Sequence, residues 1–471
     1  MRRVFFAIFL TLIFSTSALS ATYYFSTSGS DLNEGSKINP KKSLSHATSL
    51  MSAGTIIKLN RGDTWIDDWT IKGKHGTISQ PIIVEPYGSG EKPNISGRIE
   101  LKNVKNIKLN NLLSTGNSYS RVMIFAPTEN ITFDSWDFID CKKHGLRFRV
   151  KDKTSLERHI NPVVSNSTII KRWKKEWNSK KEPGGDGIDY EDGVEGGKII
   201  NNKIIDFGHT GIRLASVWPD QYGVHNVLVE GNEVKAEAVN YLRAFELNGA
   251  AGQVTNNTVR RNLLNDLRQS SKFKGDNNKY YSNIIVNHQR PTTSTNNVPY
   301  AIEITSYTQR DSHEKLGANN NIIANNTFYD VDGSGIKING KAIKKNYFYN
   351  NVITKFGTGP DGGYGIDIRF PSESQIVENN CLWNQSSSDE VFRQSGVKYT
   401  SRIANKLLFN FANNIQQDPL FTDPENRDFS LQKGSPCIHK GKSIADLIGP
   451  DFVDYYGKPF SDPPSIGAIE Y

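Results

Sequence analysis

Apolar and polar residues alternate in short runs, and one phrase keeps returning. In Gly187-Ile188-Asp189-Tyr190-Glu191 the apolar residues stand two apart with acidic residues between and after them. The phrase recurs as Gly145-Leu146-Arg147-Phe148-Arg149, Gly211-Ile212-Arg213-Leu214, Phe245-Glu246-Leu247-Asn248 and Ile302-Glu303-Ile304-Thr305. It returns again as Gly335-Ile336-Lys337-Ile338-Asn339 and Gly365-Ile366-Asp367-Ile368-Arg369, with a weaker copy at Ser271-Lys272-Phe273-Lys274. Neighbouring side chains on a strand point to opposite faces. Each phrase is therefore a short strand with an apolar face and a charged face. A repeat of this kind is the signature of a stacked solenoid with one such strand per coil. The expected fold is all-β: a right-handed parallel β-helix with an N-terminal helical cap and long loops on one face. The charged residues then form one exposed column, with a step of about 4.8 Å between coils.

Asparagine pairs punctuate the repeat at Asn201-Asn202, Asn256-Asn257, Asn325-Asn326, Asn350-Asn351 and Asn379-Asn380, each just before a strand. Asn tolerates the left-handed backbone of tight turns and can satisfy buried peptide groups. These pairs read as turns and as an internal ladder rather than as a binding motif.

Four segments follow. Residues 1–21 read as a signal peptide: Arg2 and Arg3, an apolar run over Val4–Phe14, then small residues up to Ala21. Residues 22–65 form an N-terminal cap, with Leu44, Ala47, Leu50 and Met51 at helical spacing. Residues 66–417 are the β-helix and 418–471 a C-terminal closing segment. The steps along the charged column are uneven. A minimal coil needs roughly 20–25 residues, so the surplus lies in insertions at Lys151–Gly185, Trp218–Gly223, Gln289–Pro299 and Tyr307–Gly317.

Composition narrows the function. The net charge is +8, two units of which belong to the leader. A basic chain suits an acidic partner such as a uronate-containing polysaccharide, and the expected export, rather than the charge, argues against nucleic acid as partner. Hydrophobic residues make up 36%, low for a thick globular core but enough for the thin core of a solenoid. The three cysteines are far apart and follow no metal-ligand spacing, so no disulfide framework is expected. The protein reads as exported to the periplasm or medium, without a stable membrane anchor, and monomeric.

The column alternates in sign, and polar groups concentrate near its middle. Asp186, Asp189, Glu191 and Asp192 offer oxygen ligands for a hard cation, so calcium is a possible cofactor. Asp189, His209, Arg213, Glu246 and Lys272 are the candidate catalytic residues. Arg147, Arg149, Trp218, Glu303, Lys337 and Arg369 are the candidate substrate contacts, with Trp173 and Trp177 as further stacking surfaces. Two mechanisms fit these residues. In β-elimination a cation neutralises a uronate carboxylate and a base takes the neighbouring proton. In hydrolysis two carboxyl groups, such as Asp189 and Glu246, act as acid and base.

Both ends of the chain resemble secreted right-handed parallel β-helix proteins of the pectate-lyase-like superfamily. At the start these are Tyr24-Phe-Ser-Thr-Ser-Gly-Ser-Asp-Leu-Asn-Glu-Gly35 and Arg61-Gly-Asp-Thr-Trp65; at the end, Asp418-Pro-Leu-Phe421, Gly434-Ser-Pro-Cys437 and Ile466-Gly-Ala-Ile-Glu-Tyr471. The stretch Gly187–Asp192 with Gly208-His-Thr-Gly-Ile212 is similar to uronan C5-epimerases of this fold, with Glu191 standing where their motif has a histidine. Asp186-Gly-Ile-Asp189 faintly resembles the first acidic motif of polygalacturonases. The resemblance implies an enzyme acting on an acidic polysaccharide, a lyase foremost. A glycoside hydrolase, a C5-epimerase and a non-catalytic anionic-glycan-binding protein are the alternatives.

Overall fold

The structure, a computed structural model, describes residues 20–471 apart from 117–119, 153–154, 172–184, 219–221, 238–241, 250–252, 270, 290–299, 309–314, 361, 371–374 and 386–388. All but the last two residues of the expected signal peptide lie outside this set, as do Trp173 and Trp177. No helix among the described residues is long and apolar enough to cross a membrane.

Each coil contributes strands to three faces, and strands pair in parallel with their counterparts one coil away. The first face carries the recurring phrase: β1 (His144–Arg149), β2 (Asp186–Glu191), β3 (Thr210–Ser216), β4 (Arg243–Gly249), β5 (Ser271–Phe273), β6 (Ile302–Thr305), β7 (Ile336–Asn339), β8 (Ile366–Ile368) and β9 (Phe392–Gln394). The second face runs from Val163–Ser165 through Leu228–Glu230 and Lys279–Tyr281 to Ile376–Glu378. The third is a twelve-stranded parallel sheet ending at Cys381–Trp383. This is the parallel β-helix that the alternation predicts.

Register on the first face is set by the phrase itself. Arg147 lies beside Asp189, Asp189 beside Arg213, Arg213 beside Glu246, and Glu246 beside Lys272. The column continues through Glu303, Lys337 and Asp367 to Arg393, one step beyond the last phrase read from the sequence. The interleaved residues Ile188, Tyr190, Ile212, Leu214, Ile336, Ile338, Ile366 and Ile368 are all buried in one continuous core. Slipping any coil by one residue would exchange these two columns, so burial pins the pairing.

The glycine that opens the phrase has a steric cause. A Cβ on Gly187 would meet the Gly211 carbonyl oxygen at 2.6 Å and Ile204 Cγ2 at 2.7 Å. Gly187 thus turns its open side inward, as Ile188 does. Asp186, before it, and Asp189, after it, then share the outer side, and both come close to His144.

Asparagine stacks hold the turns between coils. The first residue of each pair is left-handed, with φ of 55° at Asn201, 58° at Asn256 and 47° at Asn325. The second is buried and passes an amide hydrogen bond to the next coil. One ladder runs Asn202, Asn232, Asn262, Asn283, Asn326, Asn351, Asn380, Asn414, with Nδ2 to Oδ1 distances of 2.9–3.0 Å. A second joins Asn257, Asn278, Asn321, Asn346 and Gln375 at 3.0–3.2 Å.

Near the N-terminus, helix α1 (Leu44–Leu50) packs Leu44 and Ala47 into the core, and Thr48 accepts the Trp69 indole N–H at 2.9 Å. Residues 418–471 do more than finish the chain. They fold back along the coils, and Ile444 and Ile448 cover Tyr281, Ile322, Ala324 and Tyr349 of the second face. Phe421, Phe429, Ile466 and Ala468 cover Ile284, Val286 and Val352 of the third. Among the described residues, the hydrogen bonds from this tail to the coils go to these two faces and the turns between them. Among the described residues, the tail does not cover the first face.

Candidate active site on the first face

The charged column was expected to be exposed, and the structure corrects this. Around β1–β4 its members cover one another. Asp189 has no solvent exposure, and Asp186, Glu191 and Glu246 are buried. Stacked strands bring opposite charges within reach, so the carboxylates sink beneath a layer of guanidinium groups.

Asp189 is the centre. Arg147 Nε lies 3.2 Å from its Oδ2, and Arg213 NH1 lies 3.1 Å from its Oδ1. Both arginines also hold Glu191, Arg213 at 3.1 Å. Arg213 Nε is 3.6 Å from Glu246, and Arg243 NH1 is 3.4 Å from it. Burial pushes the Asp189 carboxyl up to about 8; Asp186 and Glu191 push the same way, while Arg213 and Arg147 oppose. Glu191 is held below the usual carboxylate range because Arg147 and Arg213 outweigh its burial. The Arg213 guanidinium is raised: burial opposes this, but the carboxylates around it prevail.

Asp186 sits between two histidines. Its backbone N–H donates to His144 Nδ1 at 3.2 Å, and its Oδ1 accepts from His209 Nδ1 at 2.8 Å. Burial works against the Asp186 carboxylate, yet contacts with His144 and His209 and the field of Arg213 hold it well below its ordinary value. His144 is buried, which pushes its imidazole down and keeps it neutral. His209 differs: its side chain is 43% exposed. With Nδ1 tied to Asp186, its Nε2 faces Arg243 NH1 at 3.3 Å and Glu246 at 3.8 Å. A carboxylate that fixes one ring nitrogen sets the tautomer and aims the other.

The remaining candidates divide by position. Lys272 lies 3.9 Å from Glu303 and is 32% exposed; Lys337 is 3.6 Å from the same carboxylate and stands over the Tyr300 ring. Arg369 is 3.4 Å from Asp367, which Arg393 also grips. Glu303, Lys337 and Arg369 thus belong to the outer stretch of the column, away from the histidines. Arg149 lies on β1 beside Glu191. Trp218 is half-buried just after β3.

The proposed metal ligands do not gather as one set. His144, Asp186 and Asp189 each place a ligand atom within 4.8 Å of the others and could hold a metal ion. Glu191 is instead committed to Arg147 and Arg213. Asp192 turns away at φ 54°, and its carboxylate accepts the Val217 and Trp218 N–H groups, anchoring the insertion that follows β3. Burial pushes Asp192 up to about 6.

Sequence reasoning missed His144, Arg243 and Lys274. The first two were within reach: His144, Asp186, Thr210 and Arg243 each precede a column residue by three, and together form a second column. Lys274 follows Lys272 by two, just past the end of β5. It is half-buried, and burial lowers its ammonium pKa; Glu246 opposes this, while Lys272 and Arg243 add to it.

No known protein-family profile matches this chain. A curated relative is the uncharacterized protein YwoF of Bacillus subtilis (strain 168), 25% identical in an alignment 460 residues long that covers 88% of this chain and 91% of that one. Among solved structures, the chain is similar to a GH136 lacto-N-biosidase from Eubacterium ramulus at 16% identity, over 76% of this chain and 68% of that one, with a TM-score of 0.49. It is also similar to pectate lyase Pel9A at 15% identity, over 96% of each chain, with a TM-score of 0.49. A mannuronic-acid-specific polysaccharide lyase of family 6 from human gut microbiota is 13% identical, over 86% of this chain and 88% of that one, at the same TM-score.

Proposed function

We propose that the protein is an exported polysaccharide-active enzyme, and that it cleaves a uronate-containing chain by β-elimination. One observation carries the reading: at the middle of the first face the carboxylates are buried, while two basic groups reach solvent. Asp189 is fully buried, whereas His209 and Lys272 reach solvent. A hydrolase needs two carboxyl groups facing the glycosidic bond. Here Asp189, Glu191 and Glu246 lie against guanidinium groups. An eliminase needs cations for the substrate carboxylate and a base beside the acidified C–H, and these are the groups the face offers.

The roles follow from the contacts. Lys272 receives the uronate carboxylate, with Arg243 and Arg213 behind it, and stabilises the charge that builds on that carboxylate. His209, held by Asp186, takes the C5 proton through Nε2. The electron pair forms the C4–C5 double bond and the C4–O bond breaks. Lys274 gives a proton to the departing oxygen. Asp186 is a positioning residue. Arg213, buried and ion-paired to several carboxylates, organises the site and takes no proton. Glu303, Lys337 and Arg369 line the outward run of the groove.

Calcium fits the residues poorly. It wants six to eight oxygen ligands, yet Asp189 and Glu191 are bound by arginines and Asp192 by backbone amides. No step is therefore routed through it. The same contacts make Asp189→Ala a poor probe of the site. Removing a buried carboxylate between two arginines would destabilise the fold by about 3–5 kcal/mol, so Asp189→Asn is the usable variant.

The test is the ultraviolet absorbance of the unsaturated product on a panel of uronate polysaccharides, with and without chelator. The expected result is rising absorbance that chelator leaves unchanged and His209→Ala abolishes. Reducing ends released without absorbance would make the protein a hydrolase. Inversion at C5 without cleavage would make it an epimerase.

A further inference from the structure

Two of the three cysteines meet in the fold. Cys381 opens the last strand of the third face, and Cys437 lies in the tail that folds back over that face. Both have no solvent exposure and belong to one apolar cluster, with Phe421, Phe429 and Ile466 around them. Both side chains pack into that cluster, where the Cys381 thiol donates to the Gln417 carbonyl at 3.3 Å and the neighbouring Cys437, together with burial, pushes the Cys381 thiol pKa up. The backbone at Cys437 is fixed on either side: its N–H donates to Ser435 Oγ at 3.2 Å and its carbonyl accepts from Ile466 at 2.9 Å. The third cysteine, Cys141, is buried elsewhere in the main core.

We propose that Cys381 and Cys437 form a disulfide that fastens the tail to the end of the solenoid. The bond closes a loop of roughly 55 residues, long enough for the constraint on the unfolded chain to matter. The oxidant is a low-molecular-weight or protein disulfide, such as oxidised glutathione. One thiolate attacks it, forming a mixed disulfide and releasing one thiol. The second cysteine then displaces the other half. The two protein thiols give up two protons and two electrons, and the oxidant leaves as two thiols. Because both sulfurs are buried, the exchange takes place before the tail seals onto the third face. The pairing holds the cover on the second and third faces in place. It does not rest on the proposed reaction, and its failure would leave that reaction untouched.

The test is a thiol count in denaturant on protein refolded in a glutathione redox buffer, with peptide mapping. The expected count is one free thiol, on Cys141, with a linked peptide joining Cys381 to Cys437. Reductant should restore all three thiols, lower Tm by roughly 4 °C and speed proteolytic loss of the tail. Cys381→Ser and Cys437→Ser should each abolish the reductant-dependent shift, and Cys141→Ser should keep it. Three free thiols after oxidative refolding, or a linked peptide that includes Cys141, would overturn the proposal. The count on the unaltered chain decides the matter even if a serine variant fails to fold.

Discussion

Two polar stacks run along this solenoid with one residue per coil, and they behave in opposite ways. The asparagine ladder is neutral, buried and self-satisfying: each amide donates to the next coil and accepts from the previous one. The charged column uses the same register, yet near its middle it gathers carboxylates, arginines and two histidines that no single pairing can satisfy. Repetition in an identical chemistry yields structure. Repetition with alternating charge, crowded by a second column three residues earlier, yields a site where protons are poorly placed. The outer part of the column, from Glu303 to Arg393, is closer to the asparagine case, because its charges pair one to one or two to one.

Substitutions can separate the two stacks. The largest effect falls on the charged side. His209→Ala should lower turnover by roughly 10³-fold while leaving Tm within about 1 °C, since the ring is partly exposed. Asp186→Asn should cost roughly 10²-fold in kcat and displace the pH profile; an unchanged profile would deny it a positioning role.

Asn262→Ala should do the reverse. It strips two hydrogen bonds to the carbonyls of Val229 and Arg260 and breaks the amide chain on both sides. A loss of about 3 kcal/mol is expected, read as a lower urea midpoint, with kcat of the folded fraction unchanged. A ladder that tolerated this change within about 0.5 kcal/mol would not be holding the coils together.

A pH series sharpens the contrast. The Asp189 carboxyl is raised to about 8 in the folded protein. Between its unfolded value near 4 and 8, the folded state therefore binds more protons than the unfolded one. Stability should then fall as pH rises from about 4 to 8 and level off above. Asp192, raised to about 6, acts in the same direction over the lower part of that range. Asp189→Asn should flatten the Tm profile between pH 6 and 8; an equally steep profile in the variant would place the extra proton elsewhere.

The smallest effect on stability belongs to Lys272→Met. Its ion pair with Glu303 is long and partly solvated, so a change within about 0.5 kcal/mol is expected. KM should nevertheless rise by roughly tenfold, an effect of the size of one charged hydrogen bond. An unchanged KM would remove Lys272 from substrate contact.

The sequence carried much of the architecture because the signals are local. Alternation at Ile188, Asp189 and Tyr190 shows which residues face inward. The repeated phrase shows that Arg147, Asp189, Arg213 and Glu246 stack, and doubled asparagines such as Asn325-Asn326 show turns backed by a ladder. Each of these is a property of a few consecutive residues multiplied by repetition.

Only the tertiary structure decided the rest. Burial of Asp189 depends on Arg147 one coil before it and Arg213 one coil after it, and no periodicity reports how much water two guanidinium groups exclude. The link from Asp186 to His209 required Gly187 to turn inward, so that residues three apart share a side. That step breaks the simple alternation by which strands are read. Asp192 looked like a ligand beside Glu191, yet a left-handed backbone turned it toward the amides of Val217 and Trp218. Cys381 and Cys437 are distant along the chain and meet because the tail runs back over the third face. Local pattern specifies which way a side chain points. The charge it carries, and what it touches, depend on neighbours that only folding brings near.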